Sequence, residues 1–168
     1  MYELHNKEQY FFDKATIEHL CDFLSCFNNP CCLCAPVLGK AMAENGHKIT
    51  ILDIDERFSQ VKGFRHFDIY RPKSLDDYFD IILCAPPFFN VSLSQLFSAV
   101  RILGKNDFCQ PLLISYLRRR ENKILGTFAK YSLKPTGYHP SYQTIKKCEK
   151  NDIEFYSNLP EELVGKLN

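Results

Sequence analysis

The sequence predicts a single α/β domain built on a mostly parallel, doubly wound sheet with a C-terminal antiparallel hairpin. Short apolar runs typical of buried strands alternate along the chain with segments of helical periodicity. Strands alternating with helices indicate parallel crossovers, with helices on both faces of the sheet. Two closing runs, near 133–138 and 153–157, predict the hairpin. No linker or repeat divides the 168 residues, so the domain is assigned to residues 1–168.

The first elements are predicted from capping residues and apolar spacing. Asp13 can cap a helix whose apolar side chains recur at i, i+3, i+4 and i+7 and so form one face. That face consists of Ile17, Leu20, Cys21, Phe23 and Leu24. A short buried strand is predicted over 31–35. A second helix is predicted over 40–45, where Gly46 is placed to end it.

The later elements follow by the same criteria. Apolar and β-branched runs predict strands over 49–52, 64–69, 78–84 and 111–117. Helical periodicity over 93–103 predicts a helix that ends at Gly104, and a more polar helix is predicted over 119–131. Ligands of doubly wound sheets bind beyond the carboxyl ends of the strands, so the residues just after each strand are the candidates for a site.

The composition is that of an ordinary soluble globular protein, with 45% hydrophobic and 24% charged residues. The longest apolar runs are far too short to span a bilayer. Residues 1–5 lack the basic and then apolar pattern of a signal peptide. We therefore expect a cytoplasmic protein without a membrane partner.

The eight cysteines are expected to be free thiols. Cys32, Cys34 and Cys84 lie within apolar, strand-like runs, where a thiol packs as a small hydrophobic group. Cys31 is close to two of them, but no paired C-x2-C modules or His pair follow. We therefore expect neither a disulfide framework nor a metal site.

Charge is distributed unevenly along the chain. Residues 1–100 carry 9 basic and 13 acidic groups, whereas residues 101–168 carry 12 basic and 7 acidic groups. The basic half is compatible with a phosphate-binding rim, although a solvated helix face explains any one cluster at least as well. Its basic clusters are Arg118, Arg119, Arg120, Lys123, Lys130, Lys134, Lys146, Lys147 and Lys150.

Carboxylates follow the second and third strands. Asp53 and Asp55 come after the second strand, where a carboxylate can accept hydrogen bonds from both hydroxyls of a nucleoside ribose. Asp53 ends that strand most directly. Asp68, after the third strand, can accept a hydrogen bond from an adenine amino group. Helix capping by the first two and a turn role for Asp68 are the alternatives.

The fourth strand is followed by Ala85-Pro86-Pro87-Phe88. Two successive prolines fix the backbone and remove two hydrogen-bond donors. The carbonyl of Pro86 is then expected to be free to face a ligand, and Phe88 is an aromatic ring available for stacking. The alternative is that the Pro-Pro pair only ends the strand.

Taken together, these residues resemble class I (Rossmann-like) methyltransferases that modify exocyclic amines, whose fourth-strand motif reads Asp or Asn, Pro, Pro, then Phe or Tyr. The chain resembles the N6-adenine-specific methyltransferase-like family. It is most similar to the CCHC zinc-finger ribosomal RNA N6-adenosine methyltransferases, and it is similar to the related elongation factor lysine methyltransferases. The resemblance extends over nearly the whole chain, through Gln9-Tyr10-Phe11-Phe12, Thr16, Leu20, Leu33-Cys34-Ala35-Pro36, Leu52-Asp53-Ile54-Asp55-Glu56-Arg57-Phe58, Asp68, Pro86-Pro87-Phe88, Tyr138-His139 and Phe155-Tyr156-Ser157-Asn158-Leu159-Pro160.

This resemblance implies a set of cofactor and substrate residues. S-adenosyl-L-methionine is expected at Cys34, Ala35, Pro36, Asp53 and Asp68, with Asp53 on the ribose. Phe88, Tyr138 and His139 are the expected substrate-binding residues. The Gly-x-Gly of ordinary methyltransferases is absent after the first strand, where Gly39 is the only glycine, and the resembled family also departs from it.

The catalytic segment implied by the resemblance is Ala85, Pro86, Pro87 and Phe88, and it departs from the motif at Ala85. In the motif, the Asp or Asn side chain and the following proline carbonyl accept hydrogen bonds from the target amine and orient its lone pair. Ala85 has no acceptor, so activity is lost, another side chain substitutes, or the residue is an engineered change. Asn90 and Ser92 are the nearby candidates for substitution.

Three functions remain open at this point. The first is an N6-adenine methyltransferase acting on nucleic acid, with RNA favoured over DNA. The second is a catalytically inactive, methyltransferase-like partner subunit, which Ala85 favours. The third is a protein lysine N-methyltransferase, for which Phe88 and Tyr138 could line the lysine channel. The zinc modules of the ribosomal RNA enzymes are absent, so substrate selectivity is expected to come from the basic rim or from a protein partner.

Overall fold

Seven β-strands and five α-helices form the molecule in the computed structural model, which describes residues 1–168. The strands are β1 Pro30–Leu33, β2 Thr50–Asp53, β3 Phe64–His66, β4 Ile81–Cys84, β5 Leu112–Leu117, β6 Lys134–Pro135 and β7 Ile153–Ser157. The helices are α1 Lys14–Leu24, α2 Pro36–Glu44, α3 Leu93–Leu103, α4 Glu121–Thr127 and α5 Glu161–Leu167.

All seven strands belong to one sheet in the order β3-β2-β1-β4-β5-β7-β6. The pairs from β3 to β5 are parallel, whereas β7 pairs antiparallel with both β5 and β6. The predicted α/β class, with a mostly parallel sheet and an antiparallel C-terminal hairpin, is therefore confirmed. Within that hairpin, β7 inserts between β5 and β6, so β6 becomes the edge strand.

Helices cover both faces of the sheet, as a doubly wound arrangement requires. Buried residues of α1, α2 and α5 form one core, and buried residues of α3 and α4 form the other. The strand period of two assigns neighbouring residues to opposite faces: Cys31 packs into the core under α3 and α4, and Cys32 into the core under α1 and α2.

This alternation places the neighbouring cysteines of β1, Cys31 and Cys32, on opposite faces of the sheet. All eight cysteines are free thiols. Because Cys31 and Cys32 point to opposite faces, they cannot converge on one ion. The structure contains no group of three or more His, Cys, Asp or Glu side chains arranged to hold a metal ion.

Two helix boundaries agree closely with the sequence prediction because local signals determine them. Asp13 accepts a hydrogen bond from the backbone N–H of Thr16 at 2.9 Å and so caps α1. Ser92 caps α3 through the N–H of Gln95 at 3.2 Å, and Gly104 follows its last residue.

The boundaries around the first loop differ from the prediction. The strand β1 ends at Leu33 because Cys34 adopts a left-handed backbone conformation, with φ of 58°. Helix α2 begins at Pro36, earlier than predicted, since the fixed φ of proline suits the first turn of a helix. Gly39 therefore lies inside α2 rather than in the loop, where an added Cβ would approach the side chain of Ile51 to 2.5 Å.

The polar helix predicted over 119–131 is divided into three pieces. The α-helix α4 is flanked by two 3-10 turns, Arg118–Arg120 and Ala129–Tyr131. No side chain caps the N-terminus of α4. Gly126, within α4, lowers the helical propensity of the segment.

Three further differences concern strand length and the C-terminus. The strand predicted over 78–84 begins only at Ile81, and Tyr78 is 79% exposed. The strand predicted over 64–69 ends at His66, and a turn follows in which the N–H of Arg71 donates to the carbonyl of Asp68. Helix α5 was not predicted, since its seven residues are too few for a clear periodicity.

None of the helices combines the length and apolar character that crossing a bilayer would require.

Candidate active site

A cavity of about 560 Å³ opens at the carboxyl ends of β1, β2 and β4. The strand order reverses direction between β1 and β4, which is where doubly wound folds bind ligands. The cavity volume is typical of small-molecule and cofactor sites, and 16 of the 26 residues that line the cavity are hydrophobic. The lining consists of Leu4, 7–12, 34–38, 53–56, 67–70, 85–88, Val91 and Tyr142.

Nine of the eleven residues expected in cofactor, substrate or catalytic roles line this cavity. They are Cys34, Ala35, Pro36, Asp53, Asp68, Ala85, Pro86, Pro87 and Phe88. They come from the loops after four different strands, which the parallel sheet brings to one edge. The structure therefore brings these loops together around one cavity.

The loop after β1 forms a neutral wall of the cavity. Cys34 ends the strand, and Ala35 precedes the first turn of α2. A hydrogen bond with Cys84, together with burial, raises the pKa of the Cys34 thiol well above its ordinary value. The thiol is therefore protonated at neutral pH and acts as apolar surface rather than as a nucleophile.

Asp53 is the buried carboxylate of the site, with 7% of its surface exposed. Its Oδ1 accepts a hydrogen bond from the backbone N–H of Asp55 at 2.8 Å. Burial raises the pKa of Asp53 to about 6, although that backbone hydrogen bond opposes the shift. At neutral pH the group is an ionised, sparsely solvated acceptor facing the cavity.

Asp55 is committed to other residues. It accepts hydrogen bonds from the guanidinium of Arg57, at 2.8 Å from Nη2, and from Nε2 of Gln9 at 2.8 Å. The hydrogen bond to Arg57 is the main reason why the pKa of Asp55 falls to about 2. Asp55 also caps the 3-10 turn that follows, Glu56–Phe58. Of the two carboxylates considered after β2, Asp53 is therefore the one available to a ligand.

Asp68 forms a turn and also lines the cavity. Its Oδ1 accepts a hydrogen bond from the N–H of Tyr70 at 2.9 Å, and its carbonyl accepts one from Arg71 at 3.0 Å, so it forms a turn. The residue also lines the cavity between two buried apolar neighbours, Phe67 and Ile69.

The segment after β4 is held from several sides. The N–H of Ala85 donates to the carbonyl of Leu33 at 3.1 Å, and no donor of the chain bonds the carbonyl of Pro86. The ring of Phe88 packs edge-on against Tyr116, with 5.7 Å between the ring centroids. Nη1 of Arg120 donates to the carbonyl of Phe88 at 2.9 Å.

The two candidate substitutes for the missing acceptor do not line the cavity. Ser92 caps α3, and Asn90 is exposed and bonded through its backbone. The carboxylate that does approach this segment is Glu8, which lines the cavity. Its Oε1 and Oε2 accept hydrogen bonds from the N–H groups of Asn90 and Phe89, at 2.5 and 3.1 Å.

Sequence reasoning did not identify the N-terminal segment, residues 3–12, as part of the site. Seven of its residues line the cavity, among them Gln9 and Phe11. Nη2 of Arg57 donates to Oε1 of Gln9 at 2.9 Å, which fastens the segment to the loop after β2. The only sequence signal was the resemblance of Gln9-Tyr10-Phe11-Phe12 to the family pattern.

Two expected substrate residues, Tyr138 and His139, lie outside the cavity. The ring of Tyr138 packs between His19 and Phe155. Nδ1 of His139 lies 2.7 Å from Oδ1 of Asp152, and its Nε2 lies 3.5 Å from Oε1 of Glu154. The strand that precedes Tyr138 and His139, β6, pairs with β7 at the edge of the sheet.

Tyr142 lines the cavity instead, four residues after Tyr138. Its hydroxyl donates to Oγ of Ser115 at 3.3 Å, and its ring contacts Phe12 at a centroid distance of 5.0 Å. Burial raises the pKa of Tyr142, so the phenol stays neutral. No local pattern in the sequence distinguishes this tyrosine from the other eight.

Comparison with known proteins gives one family match. Residues 3–161 match the family described as "Probable N6-adenine methyltransferase". No curated protein matches the chain.

Several solved structures share the fold. A "putative RNA methyltransferase" from Pyrococcus horikoshii is 18% identical with a TM-score of 0.58, over 93% of this chain and 89% of that protein. Magnesium protoporphyrin IX methyltransferase from Synechocystis PCC 6803, with bound S-adenosylmethionine, is 12% identical with a TM-score of 0.57, over 85% and 77%. A dimethyladenosine transferase from Plasmodium falciparum is 10% identical with a TM-score of 0.54, over 92% and 64%. These likenesses confirm the predicted class I methyltransferase fold.

Proposed function

We propose, from the premise that this chain belongs to the family described as "Probable N6-adenine methyltransferase", that it binds S-adenosyl-L-methionine and methylates the N6 amine of adenine in nucleic acid, RNA in preference to DNA. One observation carries this proposal. A single cavity contains both the buried carboxylate Asp53 and the segment 85–88 that follows β4.

The residues present fit the adenosine part of the cofactor. Asp53 is an ionised acceptor in an apolar cavity, which suits the two hydroxyls of a ribose. Asp68 is the acceptor for the adenine amino group, with Ile69 beside the ring. The loop 34–36 supplies the wall at the start of α2. When bound, the cofactor supplies an electrophilic methyl group.

The amine acceptor is incomplete in this chain. The carbonyl of Pro86 has no donor within the protein and can accept one hydrogen bond from the target amine. Phe88 offers a ring for an extruded or single-stranded base. Ala85 contributes no second acceptor, and by analogy with losing one polar transition-state contact the cost is roughly 10²–10³ in rate.

The second candidate function is a catalytically inactive, methyltransferase-like partner subunit. Ala85 favours it, because the cofactor residues are retained while the amine acceptor is missing. The lysine methyltransferase alternative has less support, since Tyr138, an expected wall of the lysine channel, is packed against His19 and Phe155. A protein partner that supplies substrate selectivity is compatible with either of the first two functions.

The test combines cofactor titration with restoration of the acceptor. Ala85 is half-buried and lines the cavity, so the side chain introduced by Ala85→Asp can enter the open space. We expect calorimetry to detect S-adenosylmethionine binding by the original chain and by Ala85→Asp. Methyl transfer to RNA should rise roughly 10²- to 10³-fold in Ala85→Asp.

Ala129→Asp is the matched control. Ala129 is exposed and remote from the cavity, so the same change of charge there should leave both measurements unaltered. Cofactor binding without activity in either chain would favour the inactive partner subunit. If neither chain binds S-adenosylmethionine, the methyltransferase proposal is wrong.

A further inference from the structure

An exposed aromatic side chain lies beside the cavity, and the guanidinium groups of two arginines lie close to its ring. Phe89, next to the cavity residue Phe88, is 62% exposed. The guanidinium carbons of Arg119 and Arg120 lie 5.7 and 5.4 Å from the centroid of its ring. Two guanidinium groups beside one exposed aromatic ring form a cation–π arrangement at the edge of the cavity.

The two arginines differ in how they are held. Arg120 is half-buried, donates to the carbonyl of Phe88 at 2.9 Å and lies 5.4 Å from the centroid of Tyr116, so its position is fixed. Arg119 is exposed, and Phe89 is the contact that orients it. Arg120 therefore supports the segment, and Arg119 is the residue free to bind a ligand.

The charge of these two arginines is not neutralised. No carboxylate lies within 4.0 Å of Arg119 or Arg120, whereas the neighbouring Arg118 pairs with Asp152 and Glu154, at 3.8 Å each. Of the Arg118–Arg120 run, the two members next to the cavity are thus the unpaired ones. An anion is the partner that such a site attracts.

A second exposed aromatic residue connects this feature to the cavity opening. Tyr70 is 55% exposed and lines the cavity after β3. Its hydroxyl bonds the carbonyl of Asn90, the residue after Phe89. Tyr70, Phe89, Arg119 and Arg120, here named the rim cluster, therefore lie on one connected surface that borders the cavity.

We propose that the rim cluster binds a nucleotide that flanks the target adenosine in a single-stranded polynucleotide. The flanking base stacks on Phe89, and its phosphate binds Arg119. This inference rests on the proposed function and assigns a substrate contact to residues outside the cavity. Aromatic rings interleaved with unpaired arginines are the usual means of binding single strands, because every base has a face to stack and every nucleotide a phosphate.

Charge complementarity favours a polynucleotide over a peptide. A lysine methyltransferase must bring a cationic side chain to the same opening. At the rim that side chain would meet two guanidinium groups that form no ion pair, whereas the carboxylate of Glu8 is already bonded to the N–H groups of Phe89 and Asn90. Phosphate groups are instead attracted to this surface whatever the base sequence of the nucleic acid.

The experiment measures the affinity of a fluorescein-labelled, single-stranded 12-nucleotide RNA containing one adenosine by fluorescence anisotropy at several salt concentrations. The variants are Phe89→Ala, Phe89→Trp and Arg119→Ala, with Lys166→Ala as the control. Lys166 is exposed on α5, which begins after the other end of β7, so its loss changes the net charge equally without touching the rim. DNA of the same sequence and a lysine-rich peptide form the remaining arms.

We expect Phe89→Ala to weaken RNA binding roughly 5- to 100-fold with an unchanged salt dependence, and Phe89→Trp to retain the affinity. Arg119→Ala should weaken binding and reduce the slope of log K against log salt by about 0.7, the contribution of one phosphate contact on a single strand. Lys166→Ala should change neither. Because the residues involved are exposed, circular dichroism spectra should be the same for all variants.

Unchanged affinity in both Phe89→Ala and Arg119→Ala would overturn the inference, as would an equal effect of Lys166→Ala or tighter binding of the peptide than of RNA. Equal losses with RNA and DNA support a generic single-strand contact, and larger losses with RNA support an RNA substrate. Calorimetric titration of S-adenosylmethionine on the same samples separates the two proposals. Rim variants without effect in a chain that binds the cofactor refute only the rim contact, whereas absent cofactor binding refutes the proposed function.

Discussion

At the residue scale, the carboxylate of Asp53 lines the cavity at a cost in stability. It is the last residue of a buried strand, and its ionised carboxylate has few solvent or protein partners. Because burial raises the pKa of Asp53 to about 6, the native protein holds this proton more tightly than the unfolded chain does. Its ionisation at neutral pH therefore opposes folding.

The first prediction is that Asp53→Asn stabilises the cofactor-free protein at neutral pH. The native pKa is above the ordinary 3.8, so the contribution of Asp53 to stability falls as the pH rises from about 4 to about 6 and then stays constant. The variant cannot ionise. Its free energy of unfolding should exceed that of the original chain by about 1–3 kcal/mol at pH 7.5 and should match it near pH 4.

The same variant should bind S-adenosylmethionine about 10- to 100-fold more weakly, since hydrogen bonds to a charged acceptor are lost. Urea unfolding at both pH values and calorimetric titration are the measurements. A variant that is less stable at pH 7.5 would contradict the assigned burial cost. Undiminished cofactor affinity would remove Asp53 from the cofactor site.

Residue-scale prediction from the sequence depends on strand ends. Asp53, Asp68 and Ala85 line one cavity because parallel strands bring the residues at their carboxyl ends to one edge of the sheet. Glu8 and Tyr142 were missed. Both reach the cavity through contacts across more than 25 residues of sequence, with Phe89 and Ser115, and no local spacing encodes such contacts.

At the element scale, the N-terminal segment and the loop after β4 are one interlocked structure. Glu8 has a left-handed backbone conformation, with φ of 53°, and its carboxylate bonds two successive amides of the loop. The segment is also fastened by Gln9 to Asp55 and Arg57. The N-terminal segment therefore lines the cavity and connects the loop after β4 to the loop after β2.

The second prediction follows from this contact. Glu8→Ala removes two charge-assisted hydrogen bonds at a partly exposed site, which together contribute about 1–2 kcal/mol. We expect amide hydrogen exchange in residues 4–12 and 88–90 to accelerate roughly tenfold, while the core strands remain protected. Mass spectrometry of exchanged peptides makes the measurement.

Glu18→Ala is the control, since Glu18 is exposed on α1 and its only ion pair, with Lys14, is 3.9 Å long. Glu18→Ala should leave amide hydrogen exchange unchanged in residues 4–12 and 88–90. Unaltered exchange in Glu8→Ala would mean that the loop keeps its conformation without the N-terminal segment.

The extent to which elements could be predicted depends on local signals. Helices α1 and α3 were placed closely because Asp13 and Gly104 mark their ends within the sequence itself. The apolar run 78–84 predicts a strand throughout, yet the strand begins at Ile81 and Tyr78 is exposed, because pairing with the neighbouring strands determines where β4 begins. Helix α5 carries no such signal, and tertiary contact with α1 accounts for it.

At the scale of the whole molecule, one sheet separates two cores that share its strands. The core under α1, α2 and α5 and the core under α3 and α4 receive alternate residues of the same strands. Leu33 of β1 belongs to the second core, and its neighbour Cys32 belongs to the first. Because the same strands contribute to both cores, unfolding of one core disrupts the other. The assignment of residues 1–168 to a single domain therefore predicts that the chain unfolds cooperatively.

The third prediction tests that assignment. Leu38 of α2 and Leu96 of α3 are buried on opposite faces of the sheet, each with 1% of its surface exposed. Leu38→Ala and Leu96→Ala should each lower the free energy of unfolding by about 2–5 kcal/mol, through lost burial and the remaining cavity. Both variants should unfold in urea in one transition. Far-ultraviolet circular dichroism and tyrosine fluorescence should report the same transition, and tyrosine emission can be measured because the chain has no tryptophan. The double variant should lose close to the sum, since the two sites share no contact. Two separate transitions, with each substitution moving only one of them, would mean that the two faces unfold independently and that the chain is not one folding unit.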